Sequence, residues 1–399
     1  MSVVKIVSPI GRIARLTLLF IASSISFACP ATDTSSDASQ QPLFTSAPVS
    51  VQDGPSNILI GDMNNDRKPD LIVAFSRARQ ITVLEGKGNG QFGAALSNTT
   101  VADPPGEIAA GDVNGDGKLD VAVSSHDSYG VVLLTGDGKG GLTKATTIVM
   151  RQGKHPHTHG LAIVDVNRDS KLDLITCNST DNDISLAFGD GRGNFTPAPQ
   201  SYPVGPSPYP FGTGDVNNDG QLDIVATATA TGPQRREQLP HSRALTLLLS
   251  DGKGGLSPRQ LPIRTGEPWF AAIADLNRDG KADIVASHHD QSALTMMIGD
   301  GRGGFTEANG SPFDFEASLY HFIVADVDRD ATMDVVATSG NSLRVLLNDG
   351  RGTLKSSASI PIGPGAWRLA AADLNGDGKI DIVTSNSESN TLTVLLGKP

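Results

Sequence analysis

The sequence predicts an all-β fold, a seven-bladed β-propeller of four-stranded blades, and three observations carry that reading. The pattern D-x-[ND]-x-D-x-x-x-D occurs seven times, beginning at Asp62, Asp112, Asp165, Asp215, Asp275, Asp326 and Asp373, at spacings of 50, 53, 50, 60, 51 and 47 residues. Each copy is followed by a short apolar run such as Asp223-Ile-Val-Ala, and later by a glycine-rich turn such as Gly299-Asp-Gly-Arg-Gly-Gly-Phe305. No helical period lies between these signals, so each repeat reads as four short extended runs, A to D, which is the pattern of a propeller blade.

The chain opens on a segment that does not belong to the repeats. Residues 1–28 carry Lys5, Arg12 and Arg15, then the apolar run Leu16-Thr-Leu-Leu-Phe-Ile-Ala, and end on Ser26-Phe-Ala28. Basic start, short apolar centre and small-residue end are the parts of a secretory signal peptide. Cys29 follows at once, where bacterial lipoproteins carry their lipidated cysteine, although Ser26 stands where that pattern has Leu. The alternative is an ordinary cleaved signal. The expected location is outside the bacterial inner membrane, as a periplasmic, outer-membrane or secreted protein, touching a membrane only through a lipid anchor. Residues 29–42 are polar and read as a flexible tether. The propeller then takes residues 43–399. Cys177 falls within a strand, so no structural disulfide is expected although the compartment permits one.

The repeated loop has the composition of a calcium site. Calcium takes six to eight oxygen ligands, and side chains at alternate positions of a tight loop all face inward. Positions 1, 3, 5 and 9 supply them: Asp62, Asn64, Asp66 and Asp70; Asp112, Asn114, Asp116 and Asp120; Asp165, Asn167, Asp169 and Asp173; Asp215, Asn217, Asp219 and Asp223; Asp275, Asn277, Asp279 and Asp283; Asp326, Asp328, Asp330 and Asp334; Asp373, Asn375, Asp377 and Asp381. Up to seven Ca2+ ions are expected. An EF-hand is excluded, because position 12 is Val73, Val123, Thr176, Ala226, Ala286, Ala337 or Thr384 and never an acid. Position 6 is glycine in copies 2, 4, 5 and 7 but Arg67, Ser170 and Ala331 in the others. If φ is positive there, a side chain costs of order 1 kcal/mol or more, so tighter sites are expected in blades 2, 4, 5 and 7. Pro69 stiffens the first loop, and Asp328 partly offsets Ala331 in the sixth.

The formal charge of −11 belongs to these loops, which hold 22 of the 43 acidic residues. Seven divalent ions would turn it to roughly +3, so the acidity says little about partners. No basic tract with interleaved aromatics appears, which leaves nucleic-acid binding without support.

The paired signals D-x-N-x-D-G-x-x-D and G-D-G-x-G-x-F resemble FG-GAP (VCBS-type) repeats, the units of the integrin α-subunit propeller. The resemblance spans about residues 43–399. It implies a seven-bladed ring with calcium in the A–B loops. The seventh period stops after its C run, Thr391–Leu396, and the unassigned piece Leu43–Val51 aligns with D runs elsewhere. The N-terminal strand is therefore expected to complete the last blade.

Strand order sorts the remaining loops. The metal loops and G-D-G turns share one face, while B–C and D–A connections share the other, and that second face collects the aromatic and imidazole side chains. Tyr209, Trp269, His321 and Trp367 precede or open A strands, while His288 and His289 follow a B strand; these six are the candidate ligand-binding residues, with Tyr320 beside them. Packing of the channel mouth is the plain alternative. His155, His157 and His159 offer a transition metal imidazoles two residues apart. An insertion at 232–241, carrying Arg235, Arg236 and His241, lies between B and C of blade 4.

Two functions fit. The first is an exported, calcium-held, non-catalytic binding or adhesion module for a carbohydrate or protein ligand, monomeric, since no G-x-S-x-G, H-E-x-x-H or Walker loop occurs. The second is a calcium-dependent polysaccharide lyase, with His288, His289 or His321 as base, Tyr209 or Tyr320 as acid, and Arg235, Arg236 or Arg368 neutralising a uronate. Fold alone does not choose between them.

Overall fold

The computed structural model describes residues 43–153, 156–229, 243–288, 291–315 and 319–398. The signal peptide, Cys29, the tether, His155, His289 and the insertion with Arg235, Arg236 and His241 lie outside the described residues. Seven antiparallel sheets form the fold, each running A-B-C-D from the axis outward. Blade 2 shows the pattern: A is Pro105–Gly111, B is Asp120–Ser125, C is Gly130–Gly136 and D is Leu142–Val149.

Why B runs lack the apolar–polar alternation of a half-exposed strand is visible in their burial. Every residue of Asp70–Phe75, Asp120–Ser125, Asp173–Asn178 and Asp381–Asn386 is buried, because a neighbouring blade covers each face of the sheet. Outer D strands such as Leu142–Val149 are mostly exposed and polar, which suits an open sheet edge. Blades 3 and 5 break D in two, at Phe195–Pro197 with Tyr202–Pro203 and at Phe305–Glu307 with Phe313–Asp314. Pro197, Pro199 and Pro312 remove donors from those ladders.

Among the described residues there is no central core. Seven apolar clusters lie one between each pair of neighbouring blades, for example Ile72, Ile81 and Val83 of blade 1 against Ile108, Val121 and Leu134 of blade 2. The ring closes through Ile58, Leu71 and Val73 of blade 1 against Ala370, Val383 and Val394 of blade 7. Phe44–Ser50 supplies the outer strand of blade 7, pairing from Phe44 with Gly397 to Ser50 with Thr391. The expected closure is therefore the observed one.

On the face of the Asp-rich A–B loops the blades are clasped to each other. The Gly140 amide donates to the Met63 carbonyl at 2.9 Å, Gly193 to Val113 at 3.1 Å, Gly303 to Val216 at 3.2 Å and Gly90 to Leu374 at 3.3 Å. Each pairs a C–D turn with position 2 of the preceding blade's loop. The two turn types do share a face.

Candidate functional site

Two sites arise from the same repeat, one at each end of the A strand. The first is the Asp-rich A–B loop, the candidate metal site. Its backbone folds by capturing its own amides: Asp112 Oδ1 accepts from Asp116 at 3.1 Å, Asp112 Oδ2 from Gly117 at 2.8 Å and Asn114 Oδ1 from Asp116 at 2.9 Å. Position 6 has positive φ in every copy, including Arg67 at 67°, Ser170 at 66° and Ala331 at 66°. So does position 4, where Asn65, Arg168, Asn218, Arg278 and Arg329 adopt φ between 58° and 66°. Only blades 2 and 7 place glycine at both, as Gly115 with Gly117 and Gly376 with Gly378, so they carry the least backbone strain.

The donor set fits a hard cation. In blade 6, Asp326, Asp328 and Asp334 hold carboxylate oxygens within 4.8 Å of one another. Asp326 Oδ1 is buried there with no hydrogen-bond partner among the described residues. Elsewhere the position-5 carboxylate leans toward its position-7 neighbour, as Asp116 to Lys118 at 3.1 Å and Asp377 to Lys379 at 2.8 Å. These ion pairs are exposed or partly so and weak, and an ion would outcompete them. Positions 1, 3, 5 and 9 would hold calcium, which supplies charge that crosslinks the loop.

Position 9 has a second duty. Asp120 is wholly buried; its Oδ2 accepts from the Val113 amide at 3.1 Å and its Oδ1 from Gly136 at 3.0 Å. Asp70, Asp173, Asp223, Asp283, Asp334 and Asp381 do the same. Each ties its A–B loop to the end of strand C. Burial pushes the pKa of Asp70, Asp120, Asp173, Asp223, Asp283 and Asp334 up to about 6, against the pull of those two amides. An acid with a raised pKa holds its proton more tightly folded than unfolded. The metal-free fold therefore loses stability as pH rises from about 4 through 6, while calcium requires the charged form. The calcium-induced rise in melting temperature should be large at pH 7.5 and shrink at pH 5, measured by thermal melts with and without Ca2+; equal gains at both pH values would contradict this.

The second site opens at the other end of the A strands, around the axis. Each A strand there carries a residue six positions before the loop Asp: Ser56, Gly106, His159, Tyr209, Trp269, Tyr320 and Trp367. In five blades the A–B ladder slips its register at that residue. Such a bulge turns a side chain out of the sheet. Hydroxyls of the B strands fix the bulges. Thr227 Oγ1 accepts from the Tyr209 amide at 3.2 Å and donates to the Trp269 carbonyl at 3.0 Å, and Thr338 Oγ1 likewise joins His321 to Trp367.

The result is a cavity of about 410 Å³ walled by rings. His159 stacks on Tyr209 at 4.2 Å between centroids, Tyr209 meets Trp269 edge-on at 5.4 Å, and Trp367 lies 5.9 Å from Trp269 and 5.8 Å from Tyr320. At the same A-strand position blades 1 and 2 carry Ser56 and Gly106, so they put no ring there. Across it Arg368 of blade 7 pairs with Glu107 of blade 2, and Asn57 donates to Glu107 at 2.8 Å. His321 is buried in the lining with neither ring nitrogen hydrogen-bonded among the described residues. Burial, then Arg368, hold it well below the usual imidazole range. Burial, then His126, His157 and Arg368, push His159 down to about 2. Both imidazoles are therefore neutral.

Of the expected ligand residues, Tyr209, Trp269, His321 and Trp367 meet in this cavity. His288 does not. It ends a B strand, one place out from the axis, where its Nε2 lies 2.7 Å from Thr295 Oγ1 inside the blade. Glu107 and His126 are lining residues that the sequence reading did not assign to the site. The constant offset of six residues was the signal that could have found the ring.

Comparisons with known proteins agree on the repeat. A family model described as FG-GAP-like repeat matches residues 62–123, 112–176, 165–226, 275–337 and 326–384. Cartilage acidic protein 1 of Xenopus tropicalis is 31% identical over 144 residues, which are 32% of this chain and 22% of that protein. The match thus spans about a fifth of the curated relative's length. Among solved structures, BBS1N in complex with ARL6DN superposes with a TM-score of 0.63 at 12% identity, covering 89% of this chain and 97% of that one. A lectin of Agrocybe aegerita, in a structure on recognition of non-reducing terminal N-acetylglucosamine, gives 0.56 at 17%, covering 84% and 86%. A catalytically inactive virginiamycin B lyase of Staphylococcus aureus with quinupristin gives 0.56 at 13%, covering 88% and 99%. At these identities the structural likeness speaks for the fold alone. The chain is a seven-bladed propeller and belongs to the FG-GAP-like repeat family.

Proposed function

We propose that this chain is an exported, calcium-braced, non-catalytic binding module that takes an uncharged part of a carbohydrate into its central cavity. Export rests on residues 1–28 and calcium on the loop oxygens described above. The observation that carries the ligand class is the ring wall of Tyr209, Trp269, Tyr320 and Trp367 around a space of about 410 Å³. Pockets of this size with aromatic walls and a few convergent polar groups are where small ligands bind. Flat apolar rings suit the C–H faces of a sugar, and the neutral imidazole of His321 can both donate to and accept from hydroxyls. The charge at the cavity is internally matched, since Arg368 faces Glu107. That pairing disfavours the lyase reading, which asks Arg368 to neutralise a uronate. Its remaining arginines, Arg235 and Arg236, lie outside the described residues, and nothing favours a catalytic step.

Both tryptophans of the chain, Trp269 and Trp367, line the cavity, so the emission of the whole protein reports on it. Titrating the full-length protein with a panel of neutral and acidic glycans should shift or quench that emission for a subset of neutral ones. Trp269→Ala should weaken that binding about tenfold or more, roughly 1.4 kcal/mol or above. A panel that leaves both emission and calorimetric heat unchanged removes the proposal.

A further inference from the structure

We propose that His126, His157 and His159 form a binding site for a borderline transition-metal ion of the zinc or copper class, at the edge of the central cavity. It goes beyond the carbohydrate reading and does not depend on it. His126 follows strand B of blade 2, while His157 and His159 flank the start of strand A of blade 3, Thr158–Val164. Their ring centroids lie 5.4, 4.7 and 4.4 Å apart. An ion held tetrahedrally by three imidazoles at about 2.0–2.1 Å places ring centroids about 5 Å from one another. Rings from two separate blades thus stand at the spacing that a shared ion requires.

A second observation points to a ligand. His159 is 8% exposed and its Nε2 is buried without a hydrogen-bond partner among the described residues. An orphaned buried polar atom is destabilising, and a bound ion is one way such a group is satisfied. Burial also keeps His159 neutral, which is the ligating form.

The surroundings hold the rings in place. Tyr209 stacks on His159 with an interplanar angle of 22°. The Ser179 amide donates to the His157 carbonyl at 2.8 Å, and Thr158 Oγ1 donates to Ser128 of blade 2 at 3.3 Å, pinning the strand start across the blade boundary. Gly106 gives His126 its room, because a Cβ there would sit 3.2 Å from His126 Cδ2. Among the described residues only Asp326, Asp328 and Asp334 already have all ligand atoms within 4.8 Å. Binding at the histidines therefore requires the exposed His126 and half-buried His157 rings to turn about χ2.

The donors decide the metal. Imidazole suits zinc, copper and nickel, whereas calcium takes oxygen. Cys177, the cysteine among the described residues, is buried and its Sγ donates to the Tyr209 carbonyl at 3.2 Å, so its thiolate does not join the set. Three protein ligands leave a position for water or a ligand oxygen. One chain would then sort two classes of ion, hard cations on the loop face and a borderline one on the cavity face.

The test uses tag-free, full-length protein in saturating Ca2+, titrated with Co2+ followed by its visible ligand-field absorption and with Zn2+ by calorimetry. One saturable equivalent is expected. His126→Ala and His157→Ala should each weaken it on the order of tenfold or more, while thermal melts show both variants folded and still stabilised by calcium. No saturable binding by the wild-type protein overturns the proposal, as does binding that survives both substitutions unchanged.

Discussion

Chelating divalent ions should lower the melting temperature of the full-length protein on the order of 10 °C, and restoring Ca2+ should recover it. An ion that binds only the folded state stabilises it by about 2.7 kcal/mol per site at a hundredfold excess over Kd, and three well-occupied loops give roughly 8 kcal/mol. In a chain of this size each kcal/mol moves the midpoint by about one to two degrees. The β-sheet signal in the far ultraviolet should persist at 20 °C without the ion. The loop amides stay bound to loop oxygens, as Gly117 does to Asp112 at 2.8 Å, and the seven apolar clusters between blades do not involve metal. Differential scanning calorimetry with EGTA and with excess Ca2+ decides the matter. A midpoint unchanged within a degree would show that the ions have no structural role.

The second large effect comes from the carboxylate at position 9. Asp120→Ala should destabilise the protein by about 3–5 kcal/mol even in EGTA, because it strips the partner from two buried amides, Val113 and Gly136. Asp137→Ala, in the exposed turn of the same blade, should cost within about 1 kcal/mol, although Asp137 also accepts two amides, from Lys139 and Gly141, since water can replace it there. Urea unfolding of the two variants in EGTA separates the clasp from the ion. If Asp120→Ala unfolds no more easily than Asp137→Ala under those conditions, position 9 serves the metal alone.

The blades, their order and the closure by Phe44–Ser50 were legible because a period near 50 residues repeats the same turn chemistry seven times. Positive φ at position 6 was legible from its four glycines. The same demand at position 4 was hidden, because Arg168, Arg278 and Arg329 meet it with side chains that look unsuited to it. The clasp of Asp120 could not be separated from ligation, since one residue type serves both. At the cavity, His321 and His288 look alike in sequence, each near a strand end on the same face. Strand A lines the axis and strand B does not, so one imidazole enters the cavity and the other is enclosed in its blade. Contacts made by ring closure were beyond reach: Glu107 and Arg368 are 261 residues apart, and no local pattern pairs them.

The pairing of Phe44–Ser50 with Thr391–Gly397 also sets a timetable. Phe44–Ser50 must wait for a strand more than 300 residues further along the chain, and until they meet the ring is a spring with two raw ends. Six blades can assemble in passing, but the seventh is a latch thrown only once Thr391–Gly397 has emerged to meet Phe44–Ser50.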